Sequence, residues 1–229
     1  MTPQGMEADE TRDAIMQAVL AHVPFDGWGE KALLAAADEC GIGTDAARRA
    51  FPRGAASLIE YHSTLADRRM EDDLGAEALK GLSVGRRIAA AVRLRLEQEE
   101  PHREAVRAAV SYLALPLNAR LCLKCLYRTV DTVWFAIGDK STDFNFYSKR
   151  ALLAGVYGST LLYWLDDRSE DHEESWAFLD RRLQDVMRVG RLKGEMQRFL
   201  PSLETLARLL RSGPGRTFGV TRGGHSGRP

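Results

Sequence analysis

The sequence predicts an all-α protein that begins with a helix-turn-helix. Apolar residues recur at intervals of three and four along most of the 229 residues, which is the period of one helix face. Strand signals, runs in which apolar and polar residues alternate, are nearly absent. Glycine and proline separate the periodic segments at the places where helices are expected to begin and end.

The first three predicted helices make up the helix-turn-helix. Helical spacing covers 11–23 and 30–40, with a DGWG turn between them. Gly41 suits the left-handed conformation that ends a helix, and Thr44 is placed to cap a short third helix through Phe51. Two helices, a glycine turn and a short helix are typical of this motif.

The longer remainder is also predicted to be helical. Ser57 and Glu60 form the S-x-x-E pattern of a capping box, which would begin a long helix towards Leu74. The later helices are expected at 84–99, Pro101 to about Leu115, 117–137, Thr142 or Asp143 to Leu165, and around Trp176 to Met187.

The composition excludes several classes of protein. Lysine plus arginine and aspartate plus glutamate both number 32, so the formal net charge is zero, whereas chains that hold nucleic acid by its phosphates are usually basic. No run reaches the roughly 18 apolar residues of a membrane span. The polar, acidic start MTPQGMEADE is unlike a signal or transit peptide, and three cysteines fit a reducing cytosol.

DNA binding is the hypothesis that the helix-turn-helix itself raises. Arg48, Arg49 and Arg53 could contact phosphates or bases from the third helix. The acidic residues nearby would face phosphate unfavourably: Asp38, Glu39 and Asp45. A transcriptional repressor with a small apolar ligand and a purely structural three-helix unit therefore remain alternatives.

The motifs that usually carry catalysis do not form a site here. Cys122 and Cys125 make a C-x-x-C, but inside an apolar helix, where thiols that pack as small hydrophobes are the ordinary outcome and a redox pair is the alternative. His172 lies in an acidic cluster without the paired Glu-x-x-His of di-iron bundles. We predict no catalytic residue, metal or cofactor.

The C-terminal segment 192–212 has an apolar side and a cationic side. Such a helix lies in a membrane interface or packs on a core or a partner, and both interpretations stay open, with Pro201 interrupting a straight helix. The membrane-binding candidates are Leu192, Met196, Phe199, Leu200, Leu203, Leu206 and Leu210. The glycine- and arginine-rich residues 213–229 are expected to be disordered.

The stretch GDKSTDFNFYSKR, 138–150, places three rings among charges. On a helix, Phe146 and Tyr147 point about 100° apart, so one core cannot easily hold both. Exposed aromatics beside Arg150 are typical anchors of protein interfaces. The alternative is that Phe144 fills the core and the other rings are partly covered.

The same stretch resembles a known family. G-D-x-S-T-D-F-N-x-Y-x-x-R-x-x-L, preceded by V-D-x-x-W, is similar to the accessory lipid-binding proteins of ubiquinone biosynthesis, the family of the ninth coenzyme Q protein. Further similarity lies in V-P-x-x-G-W at 23–28, in 151–157 and in D-x-x-E-x-W-x-F-L at 171–179, over about 10–210 in all.

The resemblance implies a dimeric tet-repressor-like helical bundle without catalysis. Members of the family bind an isoprenoid or other lipid, touch the membrane with a C-terminal amphipathic helix, and present lipid intermediates to the demethoxyubiquinone hydroxylase, a di-iron enzyme. The domains implied are a helix-turn-helix at 8–55, a lipid-binding and dimerisation domain at 56–190, a membrane helix at 191–212 and a tail at 213–229.

The resemblance also assigns residues. The partner-facing patch maps onto Asp131, Trp134, Asp139, Asp143, Phe146, Tyr147 and Arg150, with Phe146 where many relatives have Trp. Lipid-pocket residues form no motif of their own, and the apolar residues that could line the pocket or fill a core are Leu113, Leu117, Leu121, Val130, Leu153, Tyr157 and Leu161. We expect bound lipid, a second copy of the chain and a membrane surface as partners, with DNA not expected. The expected location is the bacterial cytoplasm at the inner membrane, equivalent to the matrix side in mitochondria.

Overall fold

The computed structural model describes residues 3–75, 79–139 and 145–199, and the side chains of 9–75, 79–139 and 147–188. Over these ranges it is helical and contains no strand, which confirms the predicted fold class. The helices are α1 (Pro3–Asp26), α2 (Glu30–Glu39), α3 (Thr44–Ala50), α4 (Ala55–Asp73), α5 (Val84–Glu97), α6 (Arg103–Leu113), α7 (Ala119–Ala136), α8 (Asn145–Asp166) and α9 (Glu173–Phe199).

The chain divides into two units, one that ends at Val186 and one that begins at Met187. Among the described residues, no single helix is long and apolar enough to cross a bilayer. The segments Glu100–Leu113 and Pro116–Ala136 reach that length and composition only together, across a bend of 96°.

In the turn between α2 and α3, Gly41 ends the helix as the sequence predicts, whereas the predicted Thr44 cap is wrong, because α3 begins at Thr44 with Gly43 as its N-cap and without a side-chain cap. Gly41 has a φ of 66°, a left-handed conformation that glycine adopts without the steric cost of a Cβ. Its amide donates to the Asp38 carbonyl, and the Ile42 amide donates to the Ala37 carbonyl at 2.8 Å. These two hydrogen bonds define a Schellman motif, which pairs carbonyls that the end of a helix leaves open.

The helix-turn-helix shares one core with the helices that follow it. Ile15, Val19 and Phe51 are fully or almost fully buried together with Leu58 of α4. On α6, Ala105 belongs to the same cluster, and its carbonyl accepts a hydrogen bond of 2.8 Å from Trp28 Nε1. The first three helices are therefore fixed to α4 and α6 by apolar burial and a buried hydrogen bond.

A second core lies between α4, α5, α7, α8 and the first part of α9. Trp164 is its largest fully buried side chain. The cluster also includes Met70, Leu96, Val130, Val133, Trp134, Leu153 and Leu179. These side chains come from helices that are distant in sequence, so the burial stabilises the bundle as a whole.

The predicted capping box at Ser57 is wrong. The helix begins earlier, at Ala55, with Gly54 as its N-cap. Ser57 is the third helical residue, and its hydroxyl accepts a hydrogen bond of 3.0 Å from the Arg53 amide. Glu60 instead pairs with Arg53 and Lys124. The S-x-x-E pattern misleads because a serine inside the first turn can bond backwards to the chain before it.

The turn from α8 to α9 is organised by one carboxylate. Asp167 Oδ1 accepts hydrogen bonds of 2.8 and 2.7 Å from the amide and hydroxyl of Ser169. Its Oδ2 accepts bonds of 2.8 and 2.5 Å from the amide and hydroxyl of Ser175. Although burial raises the pKa of Asp167, these bonds to its charged form outweigh that effect and lower the pKa well below its ordinary range.

We predict that Asp167→Asn destabilises the protein by about 1–3 kcal/mol, because a neutral amide cannot accept all four of these bonds. Urea unfolding at neutral pH measures the change. The matched control is Asp166→Asn, since Asp166 is exposed and pairs with Arg107 at the surface at 2.9 Å, where an ion pair contributes about 1 kcal/mol or less. Equal losses in the two variants would contradict the role given to Asp167.

Candidate functional site

A cavity of about 320 Å³ lies between α4, α5, α6, α7 and α8. This volume is at the lower end of the ~300–1,000 Å³ of pockets that hold drug-sized molecules. One part of its wall is apolar and more exposed: Val110, Leu113, Leu126, Leu161 and Leu162. The other part is deeply buried and holds polar residues beside the apolar Ile59 and Leu96: His62, Arg95, Glu99, Thr129 and Tyr157. The cavity therefore has an apolar mouth and a polar inner end.

Three of the seven predicted lipid-binding residues line this cavity, namely Leu113, Tyr157 and Leu161. Val130 and Leu153 are buried in the adjoining core. Leu121 is half-buried outside the lining, and Leu117 is 98% exposed. Apolar periodicity identifies buried helix faces, but it does not separate a face that fills a core from a face that bounds an empty volume.

The polar inner end is centred on Glu99, which follows α5 and is 1% exposed. Its Oε1 accepts a hydrogen bond of 2.7 Å from Arg69 and lies 3.7 Å from Arg95 Nη1. Its Oε2 lies 2.9 Å from His62 Nε2, within ion-pair distance but without hydrogen-bond alignment. One oxygen of this buried carboxylate therefore has no hydrogen-bond partner among the described residues.

A second buried carboxylate, Asp67, supports the first. Its Oδ1 accepts bonds from Arg95 Nε at 3.1 Å and from the Thr129 hydroxyl at 2.8 Å, and its Oδ2 accepts from Arg128 Nε at 3.1 Å. Arg95 thus connects Asp67 on α4 with Glu99 at the end of α5. Buried charges persist when they are paired in this way.

Burial and the charges of this cluster change the pKa values of Glu99 and Tyr157. Burial raises the pKa of Glu99, but the nearby charges of His62, Arg95 and Arg69 outweigh it and lower the pKa to about 2. Burial raises the pKa of Tyr157, with Arg95 opposing that shift. At neutral pH the inner end therefore presents a carboxylate and a neutral phenol.

Of the polar residues at the inner end, the sequence predicts only Tyr157 as a lipid-binding residue. His62, Arg95 and Glu99 each sit within an ordinary amphipathic pattern, where a charge indicates a solvated face. The available signal was the i, i+4 spacing of Arg95 and Glu99, which places a cation and an anion on one side of a helix. That spacing does not tell a buried pair from an exposed one.

The two cysteines of the C-x-x-C line the cavity wall. Burial raises the pKa of the Cys125 thiol, which opposes the thiolate that redox chemistry requires.

His172 Nε2 lies 2.9 Å from Glu100 Oε2 in an ion-pair contact. Across 3–75, 79–139 and 145–199, no three metal-binding side chains gather in one place.

The predicted partner-facing patch is partly buried. Trp134 is 6% exposed, and Arg150 forms a pair with Asp131 through Nε at 2.7 Å and Nη2 at 2.6 Å. Lys149 Nζ lies 3.3 Å from Asp139 Oδ1 and 5.4 Å from the centre of the Trp134 ring. Asp143 and the Phe146 side chain, like Phe144, lie outside the described residues.

Two rings near this patch are exposed. Tyr147, at the start of α8, is 72% exposed, and Phe135, near the end of α7, is 69% exposed. The sequence predicts Tyr147 as part of the patch, whereas nothing in it singles out Phe135. In the sequence, Phe135 follows a run of apolar core residues, and only the direction of its side chain on the folded helix distinguishes it from them.

The helix-turn-helix cations are partly neutralised within the chain. Arg48 Nη2 lies 2.7 Å from Glu30 Oε1, and Arg53 pairs with Glu60, while Arg49 is exposed. Together, α2 and α3 carry four acidic and three basic residues. This surface lacks the cationic excess that phosphate contacts need.

The predicted membrane segment falls mostly beyond the described residues. The helix α9 extends to Phe199, but the side chains of Leu192, Met196 and Phe199 are not described. The other named candidates and the predicted tail at 213–229 lie outside the described residues: Leu200, Leu203, Leu206 and Leu210. The membrane-binding assignment stays a prediction.

Comparisons with known proteins place the chain among its relatives. Residues 119–190 match the COQ9 family model. The chain is 35% identical over 190 residues to the mitochondrial ubiquinone biosynthesis protein COQ9 of Rattus norvegicus, and 34% identical over 204 residues to that of Homo sapiens. The alignments cover 80% and 82% of this chain, and 60% and 64% of those relatives. The chain thus spans less than two thirds of their length.

A solved structure confirms the predicted tet-repressor-like fold. The crystal structure of the TetR transcriptional regulator from Nitrosomonas europaea ATCC 19718 matches with a TM-score of 0.62 and 22% sequence identity. The match covers 76% of this chain and 97% of that chain. At this identity the similarity concerns the fold alone.

We predict that the stability contributed by Glu99 depends on pH. The folded-state pKa lies below the ordinary value of about 4.3, so the contribution is complete above that pH and is lost as the pH falls towards 2. Its size is on the order of 3 kcal/mol. Urea unfolding should therefore show a large difference between wild type and Glu99→Gln at pH 7 and a smaller one at pH 3.

The control for this experiment is Glu97→Gln. Glu97 is exposed and pairs with Arg93 on the same helix at 2.6 Å, so its loss should cost less than about 1 kcal/mol at either pH. A difference between wild type and Glu99→Gln that is the same at pH 7 and pH 3 would contradict the ionised state assigned to Glu99.

Proposed function

We propose that the chain, a relative of the COQ9 proteins that carries a COQ9-family domain, acts in ubiquinone biosynthesis as a lipid-binding accessory protein without catalysis of its own. The cavity between α4 and α8 is the observation that carries this proposal. Its apolar mouth and polar inner end suit an amphiphile with a small head group, such as an isoprenoid quinone precursor.

The proposed role is delivery of a lipid that water does not dissolve. Each buried CH₂ favours an apolar environment by about 0.8 kcal/mol, so a polyprenyl chain stays in the bilayer unless a protein shelters it. A cavity of about 320 Å³ holds a ring and a short stretch of chain. The rest of a long tail would pass the mouth at Leu113 and Leu162.

Delivery also requires contact with the membrane and with an enzyme. We propose that 192–211 lies in the membrane interface, on the strength of its apolar and cationic sides. We propose the demethoxyubiquinone hydroxylase as the partner, with the exposed rings of Tyr147 and Phe135 as anchors beside the Asp131–Arg150 pair. Exposed aromatics with arginine nearby supply much of the energy of many interfaces.

Two further features belong to the proposal. A second copy of the chain could cover exposed apolar side chains of α8 that lie outside the cavity lining, such as Leu152, which would give a homodimer. The curated relatives are named as mitochondrial proteins. For this chain we propose a bacterial cytoplasmic location at the inner membrane.

DNA is not a proposed partner, because Arg48 and Arg53 are paired within the chain.

We predict that Gly158→Leu blocks lipid binding. Gly158 lines the cavity, and a Cβ added there would meet no atom within 4 Å, so a larger side chain has room to leave the backbone at this point of the wall. Affinity for a ubiquinone with two isoprene units, measured by titration calorimetry, should fall by about tenfold or more, equivalent to about 1.4 kcal/mol. The melting temperature should not fall, since leucine favours a helix over glycine by about 1 kcal/mol.

Gly155→Leu is the matched control for the cavity variant. Gly155 lies one turn earlier on α8, is exposed, and also has open space around an added Cβ. It does not line the cavity, so the ubiquinone should bind this variant as it binds wild type. Unchanged binding to Gly158→Leu would show that the cavity is not the lipid site.

We predict that Tyr147→Ala weakens binding to the hydroxylase without loss of the fold. Truncation of an anchoring ring costs about 2 kcal/mol or more, so affinity in a pull-down titration should fall at least tenfold, while stability changes by less than about 1 kcal/mol. Phe25→Ala removes another exposed ring, at the end of α1 and far from this patch in sequence, and should retain binding. A Tyr147→Ala variant that unfolds instead would favour packing as the role of this ring.

A further inference from the structure

The buried polar end of the cavity goes beyond the needs of a site for an apolar chain. A pocket that only sheltered hydrocarbon would be lined by apolar side chains throughout. Here Glu99, His62 and Arg95 are each no more than 5% exposed and face the same volume. Burial of such groups is unfavourable unless they are paired. A buried oxygen among them that accepts no hydrogen bond, an open acceptor, therefore requires an explanation.

The open acceptor is Glu99 Oε2. The other oxygen of the carboxylate is held by Arg69 and lies near Arg95, whereas Oε2 has only the unaligned His62 Nε2 beside it. A buried carboxylate oxygen without a hydrogen bond loses the free energy of its hydration without compensation. A ligand that donates an O–H to this oxygen would recover that free energy.

We propose that the cavity binds its ligand with the head group inward, and that Glu99 accepts a hydrogen bond from a ring hydroxyl of that head group. The occupant class is then a phenol or hydroquinone with an isoprenoid tail, with the tail directed to the mouth at Leu113 and Leu162. This inference rests on the proposed lipid-binding function and adds to it an orientation and a chemical class.

The charges of the site favour this class over other amphiphiles. An ionised carboxylate accepts hydrogen bonds and cannot donate them, so a quinone, which has only acceptor oxygens, gains nothing from Glu99. A fatty-acid carboxylate would meet a like charge, while Arg95 is already paired with Asp67 and Glu99. The Tyr157 hydroxyl both donates and accepts, so it binds either oxidation state and the selectivity rests on Glu99.

The difference in exposure between the two ends of the cavity supports the orientation with the head group inward. Leu96, Thr129 and Glu99 at the inner end are 1–2% exposed, whereas Leu162 at the mouth is 56% exposed. A polyprenyl tail is longer than a cavity of about 320 Å³ can hold, so its far end has to emerge where the wall is open. A head group placed at the mouth would leave the tail to end against buried charges.

The test compares one ligand in its two oxidation states. A geranyl-substituted 1,4-hydroquinone and the quinone derived from it share a skeleton and a tail, and differ in the two O–H donors. Titration of the wild-type chain under anaerobic conditions should give a dissociation constant at least about tenfold lower for the hydroquinone, equivalent to about 1.4 kcal/mol. In Glu99→Gln the preference should fall to threefold or less, while Glu97→Gln should retain it.

Each outcome decides a separate point. Equal affinity of the wild type for both ligands would overturn the inward orientation and leave the lipid-binding function standing. A preference that persists in folded Glu99→Gln would overturn the assignment to Glu99. Failure of both ligands to bind would overturn the proposed function and this inference with it. Should Glu99→Gln not fold, Glu99→Asp keeps the charge, retracts the oxygen by one CH₂, and is expected to lose the preference.

Discussion

The buried cluster of Asp67, Arg95 and Glu99 is the constraint on which the helical domain depends. Two carboxylates, one on α4 and one after α5, are joined by a guanidinium that is 5% exposed. Removal of any one member would leave a buried charge without its partner, which is far less favourable than loss of a surface pair. The cluster therefore fixes α4 against α5 and, through Arg128 and Thr129, against α7.

The same constraint explains why an internal volume persists. An apolar cavity of this size tends to close, because the lining loses contacts that packing would restore. At the inner end the positions of His62, Arg95 and Glu99 are set by their mutual contacts, so these side chains cannot move inward to fill the space. The apolar mouth, formed by α6 and α8, meets that fixed wall. Stability and an available binding volume thus come from one set of interactions.

The sequence predicts the helices better than the site, for a physical reason. Helix ends depend on local chemistry, and the left-handed Gly41 is one case where that chemistry is unambiguous. The cavity depends on pairs that are distant in sequence, such as Arg128 with Asp67, 61 residues apart. No local period reports such a pair. Leu113 and Leu161 were found because they are apolar, the same property that led to Val130 and Leu153 in the core.

The motif that carries the family resemblance combines two roles in neighbouring residues. The Asp131–Arg150 pair holds α7 to α8, and the buried Trp134 ring lies beneath Lys149. These contacts set the start of α8, and with it the direction in which Tyr147 projects. A ring that anchors a partner loses less entropy on binding when its helix is already fixed. The buried residues of the motif therefore affect recognition indirectly, because they fix where the exposed rings lie. Burial of Trp134 and Arg150 is for this reason compatible with an interface at Tyr147 and Phe135.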